Sequence, residues 1–217
     1  MRGIKAVTID AAIIDSLVAI GKFCDQRGWV PATSGNFSAK VNNRAIAITV
    51  SGQHKGALNG DALMLVDFNG KPIHSEQKCS AETLLHTFLY QWDASIGAVL
   101  HTHSPGATVL SRLVQDELIL SDYELLKAFP GVDSHAGSIS IPVFVNDQNM
   151  PRLAAKISAY FDAAQHPIVG FLIAGHGLYT WGTSMAQAQK HIEALEFLFE
   201  CELTMRRIGK HESIKSV

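Results

Sequence analysis

After Asp10, apolar residues recur every three or four positions. Ile13, Ile14, Leu17, Val18 and Cys24 form one stripe, which predicts a helix capped by Asp10 and ending near Gly28. The period then drops to two. Phe37–Val41 and Ala45–Val50 alternate around Asn42-Asn43 and predict a hairpin, and Leu63–Val66 reads as a strand before a turn at Asn69-Gly70. Leu84, Leu85, Phe88, Leu89 and Trp92 restore the helical period in a segment expected to open at Ser80. Ile96–Leu100 is a short apolar run of the kind that makes a buried strand, and Ser104-Pro105 is a helix start. A strand over Ser140–Val145 and a helix over Pro151–Ala164 follow. Val169–Ala174 and Leu178–Trp181 read as strands flanking Gly175-His176-Gly177. A long helix from Thr183 to about Gly209 carries Ile192, Leu195, Phe197, Leu198, Phe199 and Leu203 around more than one face. This order predicts one α/β domain over residues 1–217, a three-layer α/β/α stack with a mainly antiparallel central sheet.

Composition narrows the function. The chain has 217 residues, is 47% hydrophobic and has a formal net charge of -2. A nucleic-acid binder would show a basic face, so no nucleic-acid partner is expected. No run of 18 apolar residues suggests a membrane span. Met1–Asp10 lacks an apolar signal core, and Cys24, Cys79 and Cys201 form no C-x-x-C pair, so a reducing cytoplasm is the expected location.

The chemistry sits in the histidines. His101-Thr102-His103 falls at the end of a predicted strand, where residues i and i+2 share a face and can offer two imidazole nitrogens to one ion. His176, between two glycines at a sharp connection, is a candidate third ligand. Three nitrogens with an open fourth position match a catalytic metal, with zinc first among divalent ions. His86 is placed on the polar side of its helix. His54, His74, His135, His166, His191 and His211 are read as surface residues.

Three small polar stretches could cradle an anion: Thr33-Ser34-Gly35-Asn36, Ser51-Gly52 and Lys78-Cys79-Ser80, the last entering a helix. Each could equally make an ordinary turn. Glu82 and Glu124 are candidate acid/base groups. Glu82 could instead complement a helix dipole, and Glu124 could be an exposed helical residue.

Taken in order, Thr33-Ser34-Gly35-Asn36, Ser51-Gly52, Ser80-Ala81-Glu82, His101-Thr102-His103-Ser104 and Gly175-His176-Gly177 resemble the class II aldolase/adducin family over nearly the whole chain. The resemblance implies zinc on His101, His103 and His176. It implies a phosphate among Gly35, Asn36, Ser51, Gly52 and Ser80, to which the loop reading adds Ser34 and Lys78, and a small phosphorylated ketose as substrate. Sugar-phosphate aldolases of the family often carry a second serine where this chain has Ala81. Glu124-Leu125-Leu126-Lys127 is similar to the family's dehydratases, which implies Glu124 as first acid/base and Glu82 as second. The alternatives are a sugar-phosphate aldolase or epimerase, and a non-catalytic adducin-like interaction module. The resemblance also implies a homotetramer with sites near subunit interfaces.

Overall fold

The structure, a computed structural model, describes residues 8–214, with side chains to residue 208. The first helix, α1, spans Ala11–Gln26 and is followed by the hairpin β1 (Asn36–Asn42) and β2 (Ala45–Thr49), then β3 (Leu63–Asp67). Helix α2 covers Thr83–Trp92, β4 Ala98–Thr102, α3 Pro105–Leu113 and β5 Glu117–Ser121. A 3-10 turn at Glu124–Ala128 leads to β6 (Ser138–Phe144), α4 (Met150–Ala163), β7 (Gly170–Ile173), β8 (Gly177–Gly182) and the long α5 (Met185–Ile214).

The eight strands form one sheet in the order β3-β2-β1-β4-β8-β7-β6-β5. Every pairing is antiparallel except β6 with β7, which α4 connects. Alternation along the strands sends side chains to two cores. Phe37, Ala47, Leu100, Leu172 and Leu178 pack with residues of α1, α3 and α5 on one face. Ile46, Ile48, Val99, Phe171, Tyr179 and Trp181 pack with residues of α2 and α4 on the other. The layers are therefore α/β/α, as the hydrophobic periods predict.

Several local expectations shift. The Asp10 side chain makes no cap bond, and α1 starts on backbone bonds from Ile13 and Ile14 to the Asp10 carbonyl. Helix α2 begins at Thr83 rather than Ser80, so Glu82 is its cap residue and not part of its first turn. Strand β5 was not anticipated: its pattern is sound, but Glu117, Ile119 and Ser121 are exposed at the sheet edge and leave too few apolar positions to stand out. Ser104 caps α3 as expected, accepting from the Ala107 N–H at 3.0 Å.

Two glycines fix the centre of the sheet. A Cβ on Gly177 would lie 1.9 Å from the Thr102 carbonyl oxygen, so β8 can approach the end of β4 only without a side chain there. Gly35, at φ +71°, would place a Cβ 2.6 Å from the His101 carbonyl oxygen. Gly177→Ala should therefore part β4 from β8 next to His101, costing about 2–4 kcal/mol. The melting temperature should fall by several degrees. An unaltered melting curve would refute the contact.

Candidate active site

His101 is the fourth residue of β4 and points to the α2/α4 face, fully buried. Its ring stacks on Tyr179 of β8, with centroids 4.0 Å apart and planes 13° apart, and Tyr179 stacks in turn on Phe171. Its Nδ1–H donates to the Leu178 carbonyl at 2.9 Å, which leaves Nε2 as the free lone pair. His103 lies just past the strand, where its backbone N–H donates to the Trp29 carbonyl, and its Nε2 is 2.8 Å from His101 Nε2. His176 sits in the β7–β8 turn, beside Gly175 at φ +64°. Its ring centroid is 4.4 Å from that of His103 and 5.0 Å from that of His101.

Glu82 closes the group. Its Oε1 is 2.9 Å from His176 Nε2 and 3.7 Å from His101 Nε2. One ligand atom from each of Glu82, His101, His103 and His176 lies within 4.8 Å of the others. Three imidazoles and a carboxylate converging this closely fit a divalent ion, because each group offers a lone pair to the same point. Burial, with the charges of His101 and His176, lowers His103 to about 3, so its ring stays neutral and available as a ligand. Burial alone would raise the Glu82 carboxyl. Hydrogen bonds and positive charge from His101 and His176, when those rings are protonated, outweigh it and hold the group far below the usual carboxylate range.

A cavity of about 100 Å³ opens beside this cluster. Ser34, Gly35 and Asn36 line one side, Ser51 and Gly52 another, and Ser80, Glu82 and His103 complete it. The structure thus brings together the three loops singled out in the sequence, with one exchange. Lys78 is exposed and does not line the cavity. The ammonium there is Lys55, 1% exposed, donating to the carbonyls of Thr33 (3.0 Å) and Gln53 (2.7 Å). Burial lowers it to about 8, opposed by Glu82. No motif marks Lys55; its one signal is a lysine three residues after Ser51-Gly52.

Glu124 is not in this group. It lies in the 3-10 turn that packs on α5, its side chain largely exposed and 2.6 Å from Lys127 Nζ. Two histidines read as surface residues are buried. His86 is 0% exposed because α2 presses that face onto the sheet. His191 is held by α5, with Nδ1 donating to the Trp181 carbonyl at 2.7 Å. The side chain of His211 is outside the described residues.

The profile of the class II aldolase and adducin N-terminal domain matches residues 15–203. The chain belongs to this family. Among curated family relatives, the methylthioribulose-1-phosphate dehydratase of Methylococcus capsulatus is 54% identical over 194 residues, covering 89% of this chain and 94% of that protein. The enzyme of the same name from Marinobacter nauticus is 52% identical over 207 residues, covering 94% and 99%. Solved structures of family aldolases share the fold. An L-fuculose 1-phosphate aldolase superposes with a TM-score of 0.78 at 20% identity, covering 94% of this chain and 91% of that one. The L-fuculose-1-phosphate aldolase of Thermus thermophilus superposes with a TM-score of 0.74 at 22% identity, covering 92% and 98%. No described helix is long and apolar enough to cross a membrane.

Behind the cluster, Thr102 Oγ1 donates to Glu196 of α5 at 3.3 Å, and Ser104 bonds the same carboxyl. Burial raises Glu196 to about 7, against those two hydrogen bonds. A carboxyl raised in the folded state favours folding fully below its unfolded value near 4.5, and that contribution disappears as pH climbs through about 7. Glu196→Gln should therefore gain stability relative to the parent on going from pH 4.5 to 8, by about 1–3 kcal/mol. Urea midpoints at the two pH values measure this, and a constant difference would contradict it.

Proposed function

We propose that the chain is a zinc-dependent methylthioribulose-1-phosphate dehydratase, removing water from 5-methylthioribulose 1-phosphate to give the 2,3-diketo-5-methylthiopentyl 1-phosphate of methionine salvage. One observation carries this reading: the three-histidine, one-carboxylate cluster opens onto a cavity walled by backbone-rich serine–glycine loops and a buried ammonium. The names of relatives above 50% identity over nearly the whole chain support the choice of substrate. A non-catalytic module would have no need of such a cluster.

His101, His103 and His176 would hold the zinc, which supplies Lewis acidity to the carbonyl and hydroxyl oxygens of a bound ketose. The N–H groups around Ser34, Gly35 and Gly52, with the Ser51 and Ser80 hydroxyls and the Lys55 ammonium, would take the phosphate and fix the sugar against the cluster. A glutamate removes the C3 proton. The electrons of that C–H bond form the C2–C3 double bond as the C2 carbonyl π pair moves onto its oxygen. When the C2 carbonyl re-forms, the C2–C3 π pair becomes a C3–C4 double bond and expels the C4 hydroxyl, which leaves as water with the proton returned by the same carboxyl. Tautomerisation of the resulting enol gives the diketone.

We assign the acid/base role first to Glu124 and second to Glu82. Glu82 already faces the cluster. Glu124 can serve only if a second copy of the chain delivers it. Its turn adjoins exposed apolar residues, Leu125, Phe197 and Met205, of the kind a subunit interface covers. This supports a homotetramer with shared sites.

The expected outcomes separate these assignments. His101→Ala should lose zinc and turnover together, and a chelator should abolish turnover reversibly. Glu124→Gln should keep zinc and lose most turnover. Co-assembled E124Q and H101A subunits should regain part of the activity that neither homo-oligomer has. No recovery on mixing, with H101A inactive and E124Q fully active, would pass the role to Glu82. Release of a small aldehyde instead of a diketone chromophore would favour the aldolase reading.

A further inference from the structure

A line of polar groups runs from Glu82 into the core between α2 and the sheet. Asn36 Nδ2 donates to Glu82 Oε2 at 2.5 Å. Asn36 Oδ1 faces His86 Nε2, His86 Nδ1 is 2.7 Å from Ser38 Oγ, and Ser38 Oγ is 2.9 Å from the Tyr90 hydroxyl. Asn36, Ser38, His86 and Tyr90 are all nearly or wholly buried. Two elements contribute: β1 gives Asn36 and Ser38 on one face, and α2 gives His86 and Tyr90 one turn apart.

The polarity of the line follows from one end. An ionised carboxylate only accepts, so Asn36 must turn its NH2 to Glu82 and its oxygen to His86. His86 must then carry its proton on Nε2. Burial and the charge of His101 lower its pKa to about 3, against Glu82, so the ring holds a single proton and Nδ1 is bare. Nδ1 takes the Ser38 hydroxyl proton, and Ser38 Oγ takes that of Tyr90. Each contact along the line then joins one donor to one acceptor, and no member can turn without leaving a buried group unpaired.

We propose that His86, backed by Ser38 and Tyr90, is a positioning residue that locks the Asn36 amide so that it holds Glu82 against the metal-binding histidines. This rests on the metal-site reading above and adds residues that touch neither metal nor substrate. Asn36 also lines the cavity assigned to the phosphate. One locked amide thus keeps the phosphate loop and the metal cluster in register.

The test uses full-length protein and does not depend on turnover. Nitrogen NMR of histidine-labelled chain should show His86 protonated at Nε2 and bare at Nδ1, both metal-free and zinc-loaded. Zinc affinity, measured by competition with a chromophoric chelator, should fall about 10–100-fold in His86→Leu. It should fall by a smaller factor in Ser38→Ala and Tyr90→Phe. His86→Gln, whose amide can still donate to Asn36, should recover most of the loss. If H86L does not fold, S38A and Y90F carry the comparison. The opposite His86 tautomer would overturn the proposal. So would S38A and Y90F both binding zinc like the parent, or equal losses in H86Q and H86L, which would make the role one of packing. A chain that dehydrates no methylthio ketose phosphate yet meets these outcomes would sink the functional reading and leave this one standing.

Discussion

The pairing of β4 with β8 is the constraint on which the site depends. Its register sets His101 opposite Tyr179 and Thr102 opposite Leu178. The residue just before β8 is then His176, which has to arrive beside His103. The approach is possible because Gly177 carries no side chain where the Thr102 carbonyl stands. Both strands lie near the middle of the sheet, with helices on each face, so the ligand set is held by the least deformable part of the molecule. The aromatic stack from His101 through Tyr179 to Phe171 extends that support across three neighbouring strands.

Much of this was legible in the chain. The two periods of hydrophobicity mark the layers, and H-x-H after an apolar run and G-H-G between two such runs mark the metal-type cluster. The glycine- and serine-containing loops do meet in one cavity. What could not be read was the buried polar set. Lys55 sits in a short 3-10 turn with no pattern of its own, and His86 interrupts an apolar helix face. From sequence, a histidine or lysine at such a position looks solvated, because whether a buried polar group finds partners depends on residues dozens of positions away. Asn36 and Ser38 are 50 and 48 residues from His86. Glu124 shows the converse. Its sequence context singles it out, yet within one chain it faces solvent and a lysine.

The polar line beneath the site is also a choice against stability. Apolar residues of similar volume at Ser38, His86 and Tyr90 would pack between α2 and the sheet without any need for exact partners. A hydrogen-bonded line in that space tolerates little disorder, since one displaced member strands its neighbours. Thr102, Ser104 and Glu196 show the same arrangement on the other face of β4. The strand that carries His101 is thus held by satisfied polar groups above and below.

The strand order carries a consequence for assembly of the chain. β8 enters between β4 and β7, and its partner β4 lies some 77 residues earlier, as the His101–Leu178 bond marks. Contacts of such separation close late, after the loop entropy between them has been overcome. The hairpin β1–β2 and the first two helices can form from local sequence, but the three histidines cannot meet until the penultimate element is seated. Assembly of the histidine cluster therefore reports a nearly finished fold. A chain halted on the ribosome before His176 would hold two of the three histidines and no site.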